Sequence, residues 1–503
     1  MKLYKTSAYM YLVGILVIFI GYLPTFRVPV MGDDFYLQFQ ATGETGGDFW
    51  LWQAINFNGA ISSGHFKPLG NFLDSIPQFL VYPVSASLGV STRYFYFAQG
   101  FLLLILIVLA ATWFSKIAIR LFAQVEVFKP RIFLAIALVS AISIQIHPWS
   151  NDPVTTYLAT GMVSAAISFS ILGLTLRAIE NSSEGWSNRH AWFSAFVGVC
   201  GVLQYEMNLA AIAGSGFLIL FYYWTSSIRK LMLNKRLWVS IFTSVIIPGG
   251  VFLLGRYISA LIAPDSGGYT GTQFSLSEIG FVTLSFALIS TLPAGAWFTS
   301  FQGLPAMAIH WELIGLLFAS ALTSVLAIKG LSNSSEDKIR LSKLIGPGIV
   351  LVIVAVLSSA AHAFTPKYQF EINAPGKVYL SYMVGAICVS TILAIVLLTL
   401  LRAPSEEKLF RLLIISALVV SFGLAQQVIN WGLGSLSSSA YANNAALSAV
   451  TTVRGTSEVE RCQVLQNWTT QGWPEYYLHG VIAFSTSAYE LFHNEEFCSS
   501  FSK

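Results

Sequence analysis

Two adjacent carboxylates, Asp33 and Asp34, stand in Met31-Gly32-Asp33-Asp34-Phe35-Tyr36, directly after a long apolar run. Only 10% of the residues are charged, so an acidic pair at this place is conspicuous. Near a low-dielectric surface the two repel each other. One proton affinity should rise, which suits a base working near neutral pH. The pair also fits a divalent cation. A solvated turn at a helix start, where acidic residues are favoured, is the alternative, and the position directly after the first apolar run favours the functional reading. Thirty residues on, the segment Gly64-His65-Phe66-Lys67-Pro68-Leu69-Gly70 holds His65 and Lys67 between glycines and a proline. A cation pair in a loop of fixed geometry can cradle a phosphate. Snorkelling of Lys67 at a membrane interface is the plainer reading.

Other polar residues fall at the ends of apolar runs. Tyr205, Glu206 and Asn208 break the long apolar stretch 190–227. A carboxylate there is costly unless it faces a cavity, a partner or a cap. Asp152 lies with His147, Trp149 and Tyr157 in a second turn, and Tyr269 lies in the Gly-rich loop Gly267–Thr272. That loop does not have phosphate-loop spacing, so it offers at most backbone N–H groups or a tyrosine to a ligand. Thr365-Pro366-Lys367-Tyr368-Gln369-Phe370-Glu371 brings a cation suited either to a lipid-linked phosphate or to an anionic lipid. There is no paired His motif, no CxxC, no GxSxG elbow and no Walker loop, and the seven His residues are scattered. A dedicated metal site is therefore not expected, and no cofactor is obligatory. A weakly positive net charge of +4 without a basic–aromatic run gives no sign of nucleic acid. Cys462 and Cys498 lie in a polar C-terminal tail. They can form a disulfide if the tail faces an oxidising compartment, and are free thiols otherwise.

The elements that must carry these residues are membrane helices. The chain is 55% hydrophobic over 503 residues, too apolar for an aqueous core alone. Apolar runs at 7–26, 92–115, 131–148, 155–176, 190–205, 207–227, 237–260, 308–328, 345–363, 379–401 and 411–432 give about eleven spans. As one rod, 190–227 would extend roughly 55 Å, nearly twice a bilayer core, so two short spans with a tight turn are expected. Sorting the loops by charge places 19 of the 28 Lys and Arg residues on one side. That side is cytoplasmic by the positive-inside rule. The N-terminus is then cytoplasmic, as an uncleaved signal anchor, and the tail is exterior. Residues 279–299 are apolar but would invert the loop charges if they crossed. They are expected to be a re-entrant or interfacial pair broken near Pro293. The expected fold is thus an all-α polytopic membrane helix bundle with exterior juxtamembrane helices. Its membrane domain spans 1–432, including a first exterior loop at 27–91, and a small exterior tail covers 433–503.

Asp33 and Asp34 after the first span, the His65-Phe66-Lys67-Pro68-Leu69 segment and the later Lys367-Tyr368-Gln369 together resemble the C-type superfamily of polytopic membrane glycosyltransferases. Within it they look like the bacterial members that modify surface polysaccharide. Lys67 stands where the resemblance would have arginine. The tail is short beside members with a large soluble exterior domain. The resemblance implies a polyprenyl-phosphate sugar as donor and a surface glycan, lipid-linked glycan or protein as acceptor, on the periplasmic face of a bacterial inner membrane. It implies Asp33 as base, with Asp34 orienting it or contacting the acceptor. His65, Lys67, Lys367, Tyr368 and Gln369 would hold the donor phosphate and lipid, and Asp152, Tyr205, Glu206 and Tyr269 the remaining substrate. A flippase or transporter of a lipid-linked sugar would use the same cations without chemistry, but transporters more often place charges mid-helix and show repeats. A structural membrane protein, in which the Asp pair is only a cap, is a third reading.

Overall fold

The computed structural model describes residues 2–147, 149, 151–224, 235–262, 274–293, 310–332, 339–378, 380–401 and 408–499. All regular structure among them is helical. Nine of the described helices are long and apolar enough to cross a membrane. They coincide with nine of the eleven expected spans.

The other two differ for a physical reason. The run at 131–148 becomes a helix at Lys129–Ser143, followed by extended chain. Its 15 residues extend only about 22 Å, short of a bilayer core of about 30 Å. Nearly every residue from Pro130 to Ser143 is buried, so apolarity here marks the centre of the bundle, not contact with lipid. Helices Lys2–Tyr22 (α1), Arg93–Ala118 (α2), Trp311–Ser332 (α3), Tyr382–Leu400 (α4) and Lys408–Ala440 (α5) surround it. The run at 190–205 becomes Arg189–Gln204 (α6), also shorter than a bilayer core at about 24 Å. It presents Trp192, Phe193 and Phe196 outward.

The expected break after residue 204 is present. Helix α6 stops at Gln204, a short turn covers Glu206–Asn208, and Leu209–Tyr223 (α7) resumes. Buried polar groups close this turn. Gln204 Oε1 accepts from Ser164 Oγ and from Asn208 Nδ2, each at 2.9 Å, and Ser168 Oγ donates to Asn208 Oδ1 at 2.9 Å. Of the expected re-entrant pair, one apolar helix is described, Glu278–Ser290 (α8). At 13 residues, about 20 Å, it is too short to cross. Residues 294–299, its expected second half, lie outside the described residues.

Between α1 and α2 lie three helices that are not candidate spans: Gly32–Thr45 (α9), Phe49–Ser62 (α10) and Pro68–Leu88 (α11). Asp48 caps α10, its Oδ1 accepting from the N–H of Trp50 at 2.8 Å. Pro68 opens α11, where a missing N–H costs nothing. The C-terminal segment is not a loose tail. Helix α5 runs unbroken through 432 and 433, and Glu458–Thr469 (α12) and Glu475–His493 (α13) fold back beneath α9. Phe35 lies 5.9 Å from Trp468, and Tyr36 lies 5.7 Å from Tyr477, ring centre to ring centre. A disulfide joins Cys462 to Cys498.

Candidate functional site

Asp33 and Asp34 occupy the first turn of α9. The two carboxylates are held differently. Asp34 is buried, and its Oδ2 accepts the backbone N–H of Tyr157 at 2.8 Å. Tyr157 can aim its N–H there because its backbone is left-handed, φ +50°. The same residue's hydroxyl donates to Asp33 Oδ2 at 2.5 Å. One tyrosine thus grips both acids. Asp33 stays exposed to the space in front of it. Burial pushes the Asp34 carboxyl up to about 7. The Tyr157 N–H opposes that rise, and Asp33 and Asp74 add to it. The expected rise in proton affinity therefore falls on Asp34, because Asp34 is the member cut off from water.

The pair opens onto a cavity of about 440 Å³. Asp33, Asp34, His65, Lys67, Tyr205, Lys367 and Tyr368 all line it. Residues 33, 67, 205 and 367 are thus brought to one place although the sequence scatters them over more than 330 positions. Lys67 lies 3.6 Å from Asp74 Oδ2 and 5.6 Å over the Tyr205 ring. Lys367 lies 5.3 Å over the Tyr368 ring. Tyr368 meets His362 edge-on at 4.6 Å, and His362 in turn stacks on Tyr205 at 6.3 Å. The cavity is therefore lined by acids from α9 and by two cations that lie over aromatic rings.

His65 departs from expectation. Burial, with Lys67, Lys367 and Arg256 close by, lowers its pKa to about 4. At neutral pH it is uncharged, so the expected cation pair reduces to Lys67. Its loop is held by Gly64, at φ +78°, whose carbonyl accepts from Arg256 Nη1 at 3.2 Å and Ser259 Oγ at 3.1 Å.

Three expected residues do not reach the cavity. Asp152 is fully buried and spent on its own loop. Its Oδ1 lies 3.0 Å from His147 Nδ1 and accepts the His147 N–H at 3.2 Å, and its Oδ2 accepts from Thr155 Oγ1 at 2.9 Å. A carboxylate enclosed this way must satisfy its oxygens locally. It shapes the turn that carries Tyr157 and does not touch the cavity. Gln369 faces the other way, its Oε1 accepting from Ser277 Oγ at 3.4 Å and tying its helix to the start of α8. Glu206 is half-buried near Arg256 and Lys67 and is not among the residues that line the cavity. Tyr269 lies outside the described residues.

Two site residues were not singled out from sequence. Asp74 lines the cavity, takes Lys67 as partner and accepts from Thr160 Oγ1 at 2.8 Å. Burial raises its pKa, and Lys67 and Thr160 pull it back down. The signal was present: Asp74 falls seven residues after Lys67, two turns along one face of α11. Tyr157 was visible only as a turn residue. Its grip on both acids depends on packing across more than 120 residues. Among the described residues no group of three or more His, Cys, Asp or Glu is placed to hold a metal. The Asp33–Asp34 pair with one tyrosine hydroxyl is a sparse donor set for a divalent cation.

No family model, no curated protein and no solved structure matches the chain. The geometry of the cavity carries the functional reading.

Proposed function

We propose that this chain is a membrane glycosyltransferase. It moves a sugar from a polyprenyl-phosphate donor to an acceptor hydroxyl on the periplasmic face of a bacterial inner membrane. The observation that supports the reading is an exposed carboxylate, Asp33, and two cations, Lys67 and Lys367, lining one polar cavity in an apolar bundle. Such a transfer asks for little else. The acceptor O–H gives its proton to Asp33 as its oxygen bonds to the anomeric carbon. The bond from that carbon to the phosphate oxygen breaks, and the departing polyprenyl monophosphate keeps the electron pair. Lys67 and Lys367 meet the charge that develops there.

The remaining residues act on these three. Tyr157 fixes the Asp33 carboxylate through its hydroxyl, and Asp34 fixes Tyr157 through the backbone. Asp74 positions Lys67. Neutral His65 can donate or accept a hydrogen bond to sugar without adding charge. Tyr205 and Tyr368 offer flat faces for the sugar or the first isoprene units. The acceptor is a surface glycan, a lipid-linked glycan or a protein. The positive loops support an orientation with the cavity end of α1 outside.

The test is a transfer assay in membranes with radiolabelled polyprenyl-phosphate sugars. Label should move to an acceptor, and Lys67→Gln or Lys367→Gln should each cut the rate by about tenfold or more, as expected for one lost charge contact in a dry site. Movement of the lipid-linked sugar across the bilayer with no transfer would replace this reading by a flippase.

A further inference from the structure

A second opening lies apart from the cavity. It is a cleft of about 630 Å³ walled by α1, α3 and α5, with Arg27 and Arg93 in its lining. We propose that this cleft binds an anionic phospholipid of the surrounding leaflet. The phosphate would rest on Arg27 and Arg93, and an acyl chain would lie along the groove between the helices.

The charge balance favours an anion. Among the described residues that line the cleft, two guanidiniums meet one carboxylate, Glu312, whose side chain is 72% exposed and 3.3 Å from Arg27. An exposed pair of this kind contributes little and exchanges readily. The Arg93 guanidinium lies 4.7 Å over the ring of Phe26 and 5.5 Å over that of Tyr94. The Nε atoms of both arginines are buried without a hydrogen-bond partner among the described residues. Buried donors left this way cost free energy, and a phosphate is the ligand whose oxygens match a guanidinium fork. Arg93 also sits in the first turn of α2, where a cation opposes the helix dipole, so helix stability does not account for it.

The rest of the cleft fits a lipid chain. Its walls include Ile20, Leu23 and Leu316. Trp431 packs under Arg27 at 4.0 Å, an arrangement suited to the headgroup level. On α3 the flanking Ile314 and Phe318 point outward, toward where lipid would be. Gly315 lines the groove, and a Cβ there would meet nothing within 4 Å. The groove is thus open along α3 for want of a side chain.

The test uses the purified full chain in neutral detergent, titrated with phosphatidylglycerol or phosphatidylcholine while thermal unfolding is followed. Phosphatidylglycerol should raise Tm and phosphatidylcholine should not. Arg93→Gln and Arg27→Gln should each raise the half-saturating phosphatidylglycerol concentration at least fivefold. Gly315→Leu fills the groove without changing charge, and leucine suits a helix better than glycine. It should keep the lipid-free Tm and abolish the lipid response, which keeps the test valid even if an arginine variant folds poorly. Equal responses to the two lipids, or a wild-type titration in Gly315→Leu, would overturn the proposal. So would polyprenyl monophosphate displacing phosphatidylglycerol at lower concentration, since the site would then belong to the donor.

Discussion

At the scale of residues, the two acids of the Asp33–Asp34 pair make separable predictions. Asp34 holds its proton more tightly in the folded chain, with a pKa raised from 3.8 to about 7 by burial. The folded state therefore binds more protons than the unfolded state between those values. Stability falls as pH rises through that window and is lowest above it. The rise corresponds to a cost on the order of 4 kcal/mol above pH 7. Asp34→Asn removes the charge and keeps an oxygen for the Tyr157 N–H. It should unfold at higher temperature than wild type at pH 8, and the difference should vanish near pH 4. An unchanged or lower Tm at pH 8 would mean that Asp34 is not held against its charge. The same scale shows what sequence can and cannot reveal. Asp33, Lys67, Tyr205 and Lys367 were legible because each belongs to a short polar cluster at the end of an apolar run. Asp152 is polar for the same reason and yet is sealed within its own turn. A buried structural carboxylate and a site carboxylate read alike until packing separates them.

At the scale of elements, the site depends on how closely α11 approaches α6. Gly70 on α11 sits against the backbone carbonyl of Gln204, and a Cβ at Gly70 would overlap that oxygen. Lys67 leads into the same helix and Tyr205 follows Gln204, so this contact sets the lysine over the ring. Gly70→Ala should push the helices apart, cost about 1–3 kcal/mol and reduce transfer several-fold. Gly348→Ala is the control, because a Cβ there meets nothing within 4 Å. Equal behaviour of the two variants in thermal unfolding would show that the approach of α11 to α6 does not matter. The helices themselves were largely readable from apolar runs and breaks, down to the turn after Gln204. The helix at Lys129–Ser143 is shorter than the apolar run that marks it, because apolarity runs on unchanged from a helix surrounded by protein into the extended chain that follows it.

At the scale of the whole molecule, the C-terminal helices support α9, which carries the acidic pair. Tyr477 on α13 donates to the carbonyl of Gly32 at 3.1 Å, directly before the acidic pair. Ser487 donates to the carbonyl of Gly43 at 2.9 Å, at the far end of α9. The disulfide between Cys462 and Cys498, 36 residues apart, ties this layer together. Replacing both cysteines by serine should lower stability by about 2–4 kcal/mol. It should also lower transfer, because α9 loses a firm support. Thermal unfolding and the transfer assay on the same preparation check both. A silent double variant would mean that the lower layer is not needed to hold the acids. This long-range closure was not legible in sequence. The bond from Tyr477 to Gly32 joins residues 445 apart, and no local pattern reports such a contact.

The most direct test of the account compares wild type with Asp33→Asn in a membrane transfer assay, using polyprenyl-phosphate sugars and matched protein levels. Asparagine keeps the shape, and its Oδ can still accept the Tyr157 hydroxyl, but it cannot take a proton. The account predicts donor-dependent labelling in wild type and a loss of about a hundredfold or more in the variant, the scale of a removed general base. Full transfer by Asp33→Asn would contradict it.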